Sequence, residues 1–494
     1  MGLMRFAVTP PERLSDALWQ RAYLGGVDGT SWQSRTTYAD GLLTLQRSAP
    51  DSAALQVPWP VAGRGQTTLS TATLAERNVP YHLPLELARG VVNQLREQMA
   101  DWEGIGLAVS PKTTATVRSA IESLAWAAVT QDDPVKSARW AETAIIDALS
   151  AGEAAAAAYV EQAFLSRRRA ASKHGAWLGA NLGPNVLNDA MAGVFVGAFN
   201  AARVALDWRR IEAAEGRFQW NLADAQIAWC QSQGLKTCVG PLLDLGPDSV
   251  PDWLYLWEDD FESILGFASD YVRAAIERYR GKADLWFCAC RINVGDILGL
   301  SEEERLRLTA RAVELVRSLD AGTPMVVGFD QPWAEYLVRR PRDVAPLHLA
   351  DALVRAGLPI SGLMLDMHFE FADNATLPRN LLEVSRQLDL WSVFGVPLWI
   401  STSAPGSASG DAETDESSPN AQATLRGQQL WTARHVPLML AKPFVRGVLW
   451  SPLRDNQPDA VVHGGLFDAS GQPKPVLRTL ASIKQRYLTR RPKG

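Results

Sequence analysis

Polar and ionisable side chains follow most of the long apolar segments in the C-terminal two thirds of the chain. Carboxylic acids are the most frequent of them, and two carboxyl groups that face one cleft can act together as a general acid and a general base. Asp366, His368 and Glu370 alternate along one segment, which in a strand would put them on the same side. The full set is Asp207, Asp244, Arg291, Asn293, Asp296, Asp330, Gln331, Trp333, Asp366, His368, Glu370, Trp450, Arg454, Asp455 and His463.

Several of these residues also have a purely structural interpretation. Asp207 stands before a Trp-Arg pair and can form an ion pair with an arginine across the fold. Asp366 and His368 can be buried and hydrogen-bonded to each other. Trp450 can cap the hydrophobic core, because a large indole ring is often buried. The sequence leaves these alternatives open.

A (β/α)8 TIM barrel, an α/β fold, is the arrangement that would bring these residues together. Apolar strand-like segments alternate with helical patterns over residues 171–494, and several of the segments are apolar throughout, as strands buried on both faces should be. Active sites of this fold lie at the carboxyl ends of the strands. The predicted strands are 177–183, 203–208, 236–244, 283–292, 324–331, 360–369, 397–403 and 445–452.

Residues 1–170 have a different pattern and are expected to form a separate α+β domain of unknown role. Short alternating segments are separated by the turn pairs Gly25-Gly26, Asp28-Gly29 and Asp40-Gly41, which indicates a small β-sheet. Helical spacing follows over 83–102, 113–130, 135–149 and 154–169.

The composition is that of an ordinary globular protein. The chain has 494 residues, a net charge of −5 and 47% hydrophobic residues. It has no basic stripe, so nucleic-acid binding is not expected. The first residues lack the apolar run of a signal peptide or membrane span, which predicts a cytoplasmic location. The four cysteines lie in apolar segments and are expected to be buried thiols: Cys230, Cys238, Cys288 and Cys290.

The segment Trp450–Asp455 (WSPLRD), with GLFD at 465–468 and PKP at 473–475, resembles the C-terminal signature of glycoside hydrolase family 10, the xylanase family. Residues 208–224 (WRRIEAAEGRFQWNLAD), 278–286 (RYRGKADLW) and 362–399 are similar to further segments of that family, in the same order. The resemblance implies a barrel that hydrolyses β-linked, xylan-type glycans. It also implies a sugar platform at Trp450, and a contact between His368 and the nucleophile.

The chain departs from the family at both catalytic positions. The acid/base glutamate falls on Arg291, and the nucleophile falls on Thr402. Arginine stays protonated and cannot act as a general acid at neutral pH, and a threonine hydroxyl needs a neighbouring base to become a nucleophile. Arg291 and Thr402 therefore cannot carry out the catalytic mechanism of the family. Arg291 is expected instead to pair with Asp244 or Asp330.

Two functional interpretations remain: a divergent hydrolase with relocated carboxylates, or a catalytically inactive barrel that binds carbohydrate. The catalytic candidates are Asp366, Glu370, Asp330 and Asp244, with His368 beside them. The candidate ligand-binding residues are Trp450, Trp333, Gln331, Asn293, Asp207 and Arg454. No cofactor motif or metal-ligand set is seen, and the expected partner is a carbohydrate, with neither nucleic acid nor membrane. The acidic, Ser-rich insertion 406–421 is either flexible or a lid.

Overall fold

The first part of the chain forms two small, mainly antiparallel sheets. The structure, a computed structural model, describes residues 2–26, 30–48, 50–169, 175–184, 186–339, 344–407, 423–457 and 461–489. The predicted turn at Asp28-Gly29 and most of the insertion 406–421 lie outside these residues. A short helix, α1 (Asp16–Trp19), accompanies the strands β1 (Gly2–Ala7), β2 (Tyr23–Gly25), β3 (Ser31–Trp32), β4 (Arg35–Ala39), β5 (Leu42–Arg47), β6 (Ala54–Val61), β7 (Gly65–Ser70) and β8 (Tyr81–His82). The two sheets have the orders β4-β5-β1-β8 and β3-β2-β6-β7.

Three long helices follow: α2 (Leu83–Gly104), α3 (Pro111–Val129) and α4 (Pro134–Arg169). The sequence predicted two helices where α4 runs unbroken, with a break near Gly152. A Cβ atom at Gly152 would come within 2.9 Å of the Leu382 side chain. The glycine therefore permits close packing of α4 against a neighbouring helix and does not end the helix.

The barrel strands lie in the C-terminal two thirds of the chain, within or overlapping the predicted segments. In chain order, with the helices between them, the elements are β9 (Trp177–Asn181), α5 (Asp189–Ala198), β10 (Ala201–Val204), α6 (Trp208–Ile211), α7 (Asn221–Ser232), β11 (Lys236–Val239), β12 (Leu243–Asp244), α8 (Phe261–Tyr279), β13 (Leu285–Cys290), α9 (Glu302–Leu319), β14 (Met325–Asp330), α10 (Pro346–Arg355), β15 (Gly362–His368), α11 (Leu381–Trp391), β16 (Leu398–Ser403), α12 (Leu425–Ala441), β17 (Val445–Trp450) and α13 (Val476–Ile483).

The parallel strands close into a ring of eight. The order is β9-β10-β11-β13-β14-β15-β16-β17, with β17 paired to β9 and the short β12 paired to β13. The predicted (β/α)8 barrel is confirmed. Its interior is filled by one cluster of buried side chains: Cys238, Leu285, Phe287, Cys290, Val326, Met364, Trp399 and Leu449. Because the barrel is filled below, a ligand can enter only above this cluster.

The N-terminal elements pack against the outside of the barrel. Arg379, which precedes α11 and is buried, donates to Gln56 Oε1 at 2.9 Å and to the Tyr23 hydroxyl at 2.6 Å, and pairs with Glu335 at 2.8 Å. Arg167 at the end of α4 donates to the last carbonyl oxygens of α12 at 2.6 Å. Buried residues of both parts belong to one continuous core. The division at residue 170 stays a prediction.

A buried lysine ties together the loops after β16 and β17. Lys474, in the PKP run, donates through Nζ to Gly406 O at 2.7 Å and His463 O at 2.8 Å, and pairs with Asp455 at 2.7 Å. Asp455 also accepts from Gly465 N at 2.9 Å. This contact set, called here the Lys474 clamp, fixes the chain beyond the last barrel strand.

Candidate functional site

A polar cavity of about 360 Å³ opens at the carboxyl ends of the barrel strands. This is the face where active sites of the fold are found. Trp208 and Phe287 border the cavity, and its polar and ionisable lining residues are Arg203, Asp207, Asp244, Asp248, Ser249, Cys290, Arg291, Asp330, Asp366, His368, Ser401 and Ser451. A second cavity, of about 260 Å³, lies away from the strand ends, between α4, α11 and α12.

Asp330 and Asp366 lie side by side in the first of these cavities. They are register partners at the ends of the neighbouring parallel strands β14 and β15, and both line the cavity. Neighbouring strands are about 4.8 Å apart, so the two carboxyl groups enter the same space from adjacent points. The structure thus brings together two of the four predicted catalytic carboxylates as an adjacent pair.

Asp330 is the carboxyl group whose protonation is most altered. Burial, followed by the charge of Asp366, raises its pKa to about 7, although His368 and Arg291 act in the opposite direction. Asn293 fixes the Asp330 backbone, donating to its carbonyl at 2.8 Å and accepting from its N–H at 3.0 Å. A carboxyl group that keeps its proton near neutral pH can serve as a general acid. Asn293, which is buried, positions Asp330 and does not line the cavity.

Asp244 and Arg291 form a bidentate ion pair on the cavity wall. Arg291 Nε lies 2.7 Å from Asp244 Oδ1, and Nη2 lies 2.6 Å from Oδ2. This confirms the prediction that Arg291 pairs with one of the two named aspartates. Since both carboxylate oxygens accept from the guanidinium, Asp244 is engaged in a charge-assisted bidentate contact with the cavity wall.

His368 connects Asp366 to two serines of β16. Its Nδ1 lies 2.7 Å from Ser403 Oγ, and its Nε2 lies 3.3 Å from Ser401 Oγ and 3.8 Å from Asp366 Oδ1. A Ser-His-Asp triad needs the serine and the carboxylate on opposite ring nitrogens. Ser401, the serine that lines the cavity, shares Nε2 with Asp366, so this arrangement positions Asp366 and does not activate a serine.

Arg203, on the second barrel strand, and Asp207, just after that strand, are further charged residues of the lining. Asp207 caps α6, accepting from Arg210 N at 3.2 Å, and its carboxylate lies 3.9 Å from Arg210 Nε. Burial raises the pKa of Asp207. The expected arginine partner is thus a near neighbour in sequence. Arg203 lies over the Phe287 ring at 5.9 Å.

Thr402 faces away from the cavity. It is buried, and its hydroxyl donates to Met367 O at 2.8 Å. Alternation along β16 places Ser401 on the cavity side instead, since a shift of one residue changes the face of a strand. Thr402 therefore does not line the cavity, and its alignment with the nucleophile position of the family stays a prediction.

The two predicted ligand-binding tryptophans are part of the core. Trp450 is 1% exposed, donates through Nε1 to Gly464 O at 2.8 Å, and meets Trp431 edge to face. Trp333 is 5% exposed and donates to Glu383 at 3.1 Å. Neither ring offers a free face for a sugar, so the core-capping interpretation of Trp450 describes its position and the platform interpretation does not.

Glu370, Gln331 and Arg454 also lie outside the cavity lining. β15 ends at His368, so the period-two pattern does not extend to Glu370, whose carboxylate accepts from Phe371 N at 3.3 Å. Gln331 is buried, and its Oε1 has no hydrogen-bond partner among the described residues. Arg454 donates to Ala469 O at 3.0 Å.

Arg203 and Ser401 line the cavity but were not among the predicted site residues. Arg203 is a lone charge within the apolar segment AARVAL, and a charge inside an otherwise buried strand is the signal that would have found it. Ser401 would have been predicted if the residues of β16 that face the cavity had been assigned correctly.

The four cysteines are free and buried, as predicted, and burial raises the pKa of Cys238 to about 12. Among the described residues, no three His, Cys, Asp or Glu side chains are grouped to hold a metal ion. None of the helices in the described ranges has the length and apolar character to cross a membrane.

Solved structures with similar folds are xylanases. Xylanase 10B from Thermotoga maritima has 15% identity and a TM-score of 0.49, with 64% of this chain and 96% of that chain covered. For xylanase B from Clostridium stercorarium the values are 17%, 0.49, 65% and 98%. For an intracellular xylanase from Thermoanaerobacterium saccharolyticum, solved with xylotetraose, they are 17%, 0.48, 65% and 97%. The three TM-scores are below 0.5, and no activity or ligand of this chain follows from these similarities. No protein-family model matches the chain, and no curated protein matches it.

Proposed function

We propose that the protein is a divergent O-glycosyl hydrolase in which Asp330 and Asp366 take the catalytic roles. One observation carries this proposal: the two carboxyl groups are register partners at the ends of neighbouring strands, and both line one polar cavity. A β-linked, xylan-type glycan is the first substrate class to test, because the sequence resemblance implies it.

In the proposed reaction, Asp330 gives its proton to the glycosidic oxygen as the bond to the anomeric carbon breaks. The Asp366 carboxylate either attacks that carbon or takes a proton from the attacking water. Retaining enzymes have their carboxyl groups about 5–5.5 Å apart and inverting enzymes about 6.5–9.5 Å. Because Asp330 and Asp366 are adjacent register partners, the retaining course is tested first, with Asp366 as the nucleophile. A water that gives its proton to Asp330 then cleaves the glycosyl–Asp366 bond and regenerates both carboxyl groups.

The surrounding contacts support this division of roles. The raised pKa of Asp330 keeps a proton available near neutral pH. His368 Nε2, 3.8 Å from Asp366 Oδ1, is the basic group beside the proposed nucleophile. Both carboxylate oxygens of Asp244 accept hydrogen bonds from Arg291, so this proposal gives Asp244 a role in binding the glycan.

The second candidate is a barrel that binds carbohydrate without cleaving it. The ion pair of Asp244 with Arg291 favours this alternative, because it places a fixed cation at the position where the family has its acid/base glutamate. Such a cavity still offers several hydrogen-bond donors and acceptors to sugar hydroxyl groups.

Hydrolysis assays on xylan and on aryl β-glycosides distinguish the two. Asp330→Asn and Asp366→Asn should each abolish turnover while leaving glycan binding, measured by calorimetry, within a fewfold of wild type. Asp351→Asn, on the exposed face of α10, is the control. Glycan binding without turnover by the wild type would establish the binding protein, and the absence of both would refute both candidates.

A further inference from the structure

Arg203 is a cation of the cavity to which the proposed reaction gives no role. It lies on β10, where its Cα pairs in register with Cys238 of the interior core, and its side chain lines the cavity. Its position is therefore the floor of the cavity, directly above the filled part of the barrel. A ligand group that reaches Arg203 has to be at the deepest point of the site.

The guanidinium of Arg203 has no hydrogen-bond or ion-pair partner among the described residues. Its Nε is buried and unbonded, and the contact that holds it is the face of the Phe287 ring at 5.9 Å. An unbonded charged donor in a partly buried place costs free energy. An acceptor supplied by a ligand would remove that cost.

Three carboxylates of the cavity wall, Asp244, Asp207 and Asp248, already contact other groups, and Asp248 pairs with Arg209 at 3.2 Å. Arg291 binds both oxygens of Asp244. Asp207 accepts from the amide that follows it in α6, and the nearest side-chain cation is Arg210 at 3.9 Å.

The two central carboxyl groups do not supply an anion to Arg203 either. Asp330 is only partly ionised near neutral pH, since burial and the charge of Asp366 raise its pKa to about 7. Asp366 has His368 as its nearest cationic neighbour, at 3.8 Å. The positive charge on the cavity floor is thus available to a ligand.

We propose that Arg203 binds a carboxylate carried by the sugar in the central subsite, so that the ligand is an acidic, uronic acid-type glycan. This rests on the proposed sugar site and deepens it by naming the substrate class. The planar fork of arginine matches a carboxylate with two parallel hydrogen bonds.

Calorimetry at pH 7 with D-glucuronate and D-glucose tests this proposal, because the two sugars differ only in the carboxylate at C6. Glucuronate should bind roughly ten- to hundredfold more tightly, as expected for hydrogen bonds to a charged group. Arg203→Met should remove that preference, and Arg203→Lys should retain part of it, which also shows that the site still folds. Arg307→Met is the matched control, since Arg307 also lies over a phenylalanine ring, at 4.6 Å, but outside the cavity.

Equal binding of the two sugars, no measurable binding of glucuronate, or a preference that survives in Arg203→Met would each overturn the proposal. Inorganic phosphate is the third probe. If it binds more tightly than glucuronate and loses its binding in Arg203→Met, Arg203 serves a free oxyanion and the sugar assignment is wrong.

The outcome is separable from that of the proposed function. Asp330→Asn should abolish hydrolysis and keep the preference for glucuronate. A wild type that hydrolyses no glycoside but prefers glucuronate would refute the hydrolase and support the role of Arg203. Hydrolysis of neutral glycosides without any charge preference would refute Arg203 alone.

Discussion

Replacement of Asp330 by asparagine should stabilise the protein in a strongly pH-dependent way. The folded-state pKa of Asp330 is about 7, whereas an aspartate in an unfolded chain has a pKa of about 3.9. The fold therefore binds the proton more tightly than the unfolded chain does. This group costs no stability below the unfolded pKa, and its cost grows as the pH rises from about 4 to about 7 and the buried carboxylate must ionise.

The size of the effect follows from the difference between the two pKa values. At about 1.36 kcal/mol per pKa unit, a difference of about 3 units gives a cost of up to about 4 kcal/mol above pH 7 and less than about 1 kcal/mol at pH 4. Asparagine has nearly the same shape and carries no charge. Asp330→Asn should thus exceed the wild type in unfolding free energy at pH 8 and match it at pH 4.

Urea unfolding at pH 4, 6 and 8, followed by tryptophan fluorescence, measures this difference. Asp351→Asn, which removes an exposed carboxylate paired with Arg355 one helical turn away, should change stability by less than about 1 kcal/mol at each pH. If Asp330→Asn gives the same difference at pH 4 and pH 8, or is destabilising at pH 8, then Asp330 is not a buried carboxyl group with a raised pKa.

Three further outcomes are expected from other parts of the structure. Arg291→Met should lower the unfolding free energy by about 1–3 kcal/mol, because it leaves the partly buried Asp244 carboxylate without its cation. The double variant Arg291→Met with Asp244→Leu should recover part of this loss. If it recovers none, the two residues do not stabilise the fold as a pair. Trp450→Phe should cost about 1–2 kcal/mol in urea unfolding through the lost hydrogen bond to Gly464 and lost packing, with sugar affinity in calorimetry unchanged; a large loss of affinity would restore Trp450 as a ligand contact. The four buried cysteines should resist a thiol reagent such as DTNB in the native protein and react only on unfolding, so fast labelling of the native fold would show that one of them is accessible.

The sequence was sufficient to predict the barrel, and the reason is visible in its strands. Segments such as PMVVGF and GVLW are apolar throughout because strands of a parallel barrel are covered on both faces. The residues at the strand ends were also predictable in kind: Asp330 and Asp366 follow from their place at the ends of such segments. That they are register partners was not predictable, since register depends on how two distant segments pair.

The direction of individual side chains was the part that the sequence could not determine. The sequence could not show whether Thr402 or Ser401 of β16 faces the cavity, because neighbouring residues of a strand face opposite sides. The break predicted near Gly152 failed for a different reason: the glycine lets the helix pack closely on Leu382, whose side chain would lie 2.9 Å from a Cβ atom there. Both depend on tertiary contacts that no local pattern contains.

The Lys474 clamp explains why the xylanase-like sequence signature can persist in a protein without the catalytic activity usually associated with it. Lys474 and Asp455 lie in the runs that resemble the xylanase signature, yet their bonds go to loop carbonyls, a loop amide and each other. Selection for a well-folded chain end would retain them whether or not the barrel cleaves sugars. A search with this signature would therefore find proteins that share the barrel fold, whatever their activity. The cavity residues would have to be compared to separate enzymes from proteins that only bind sugars.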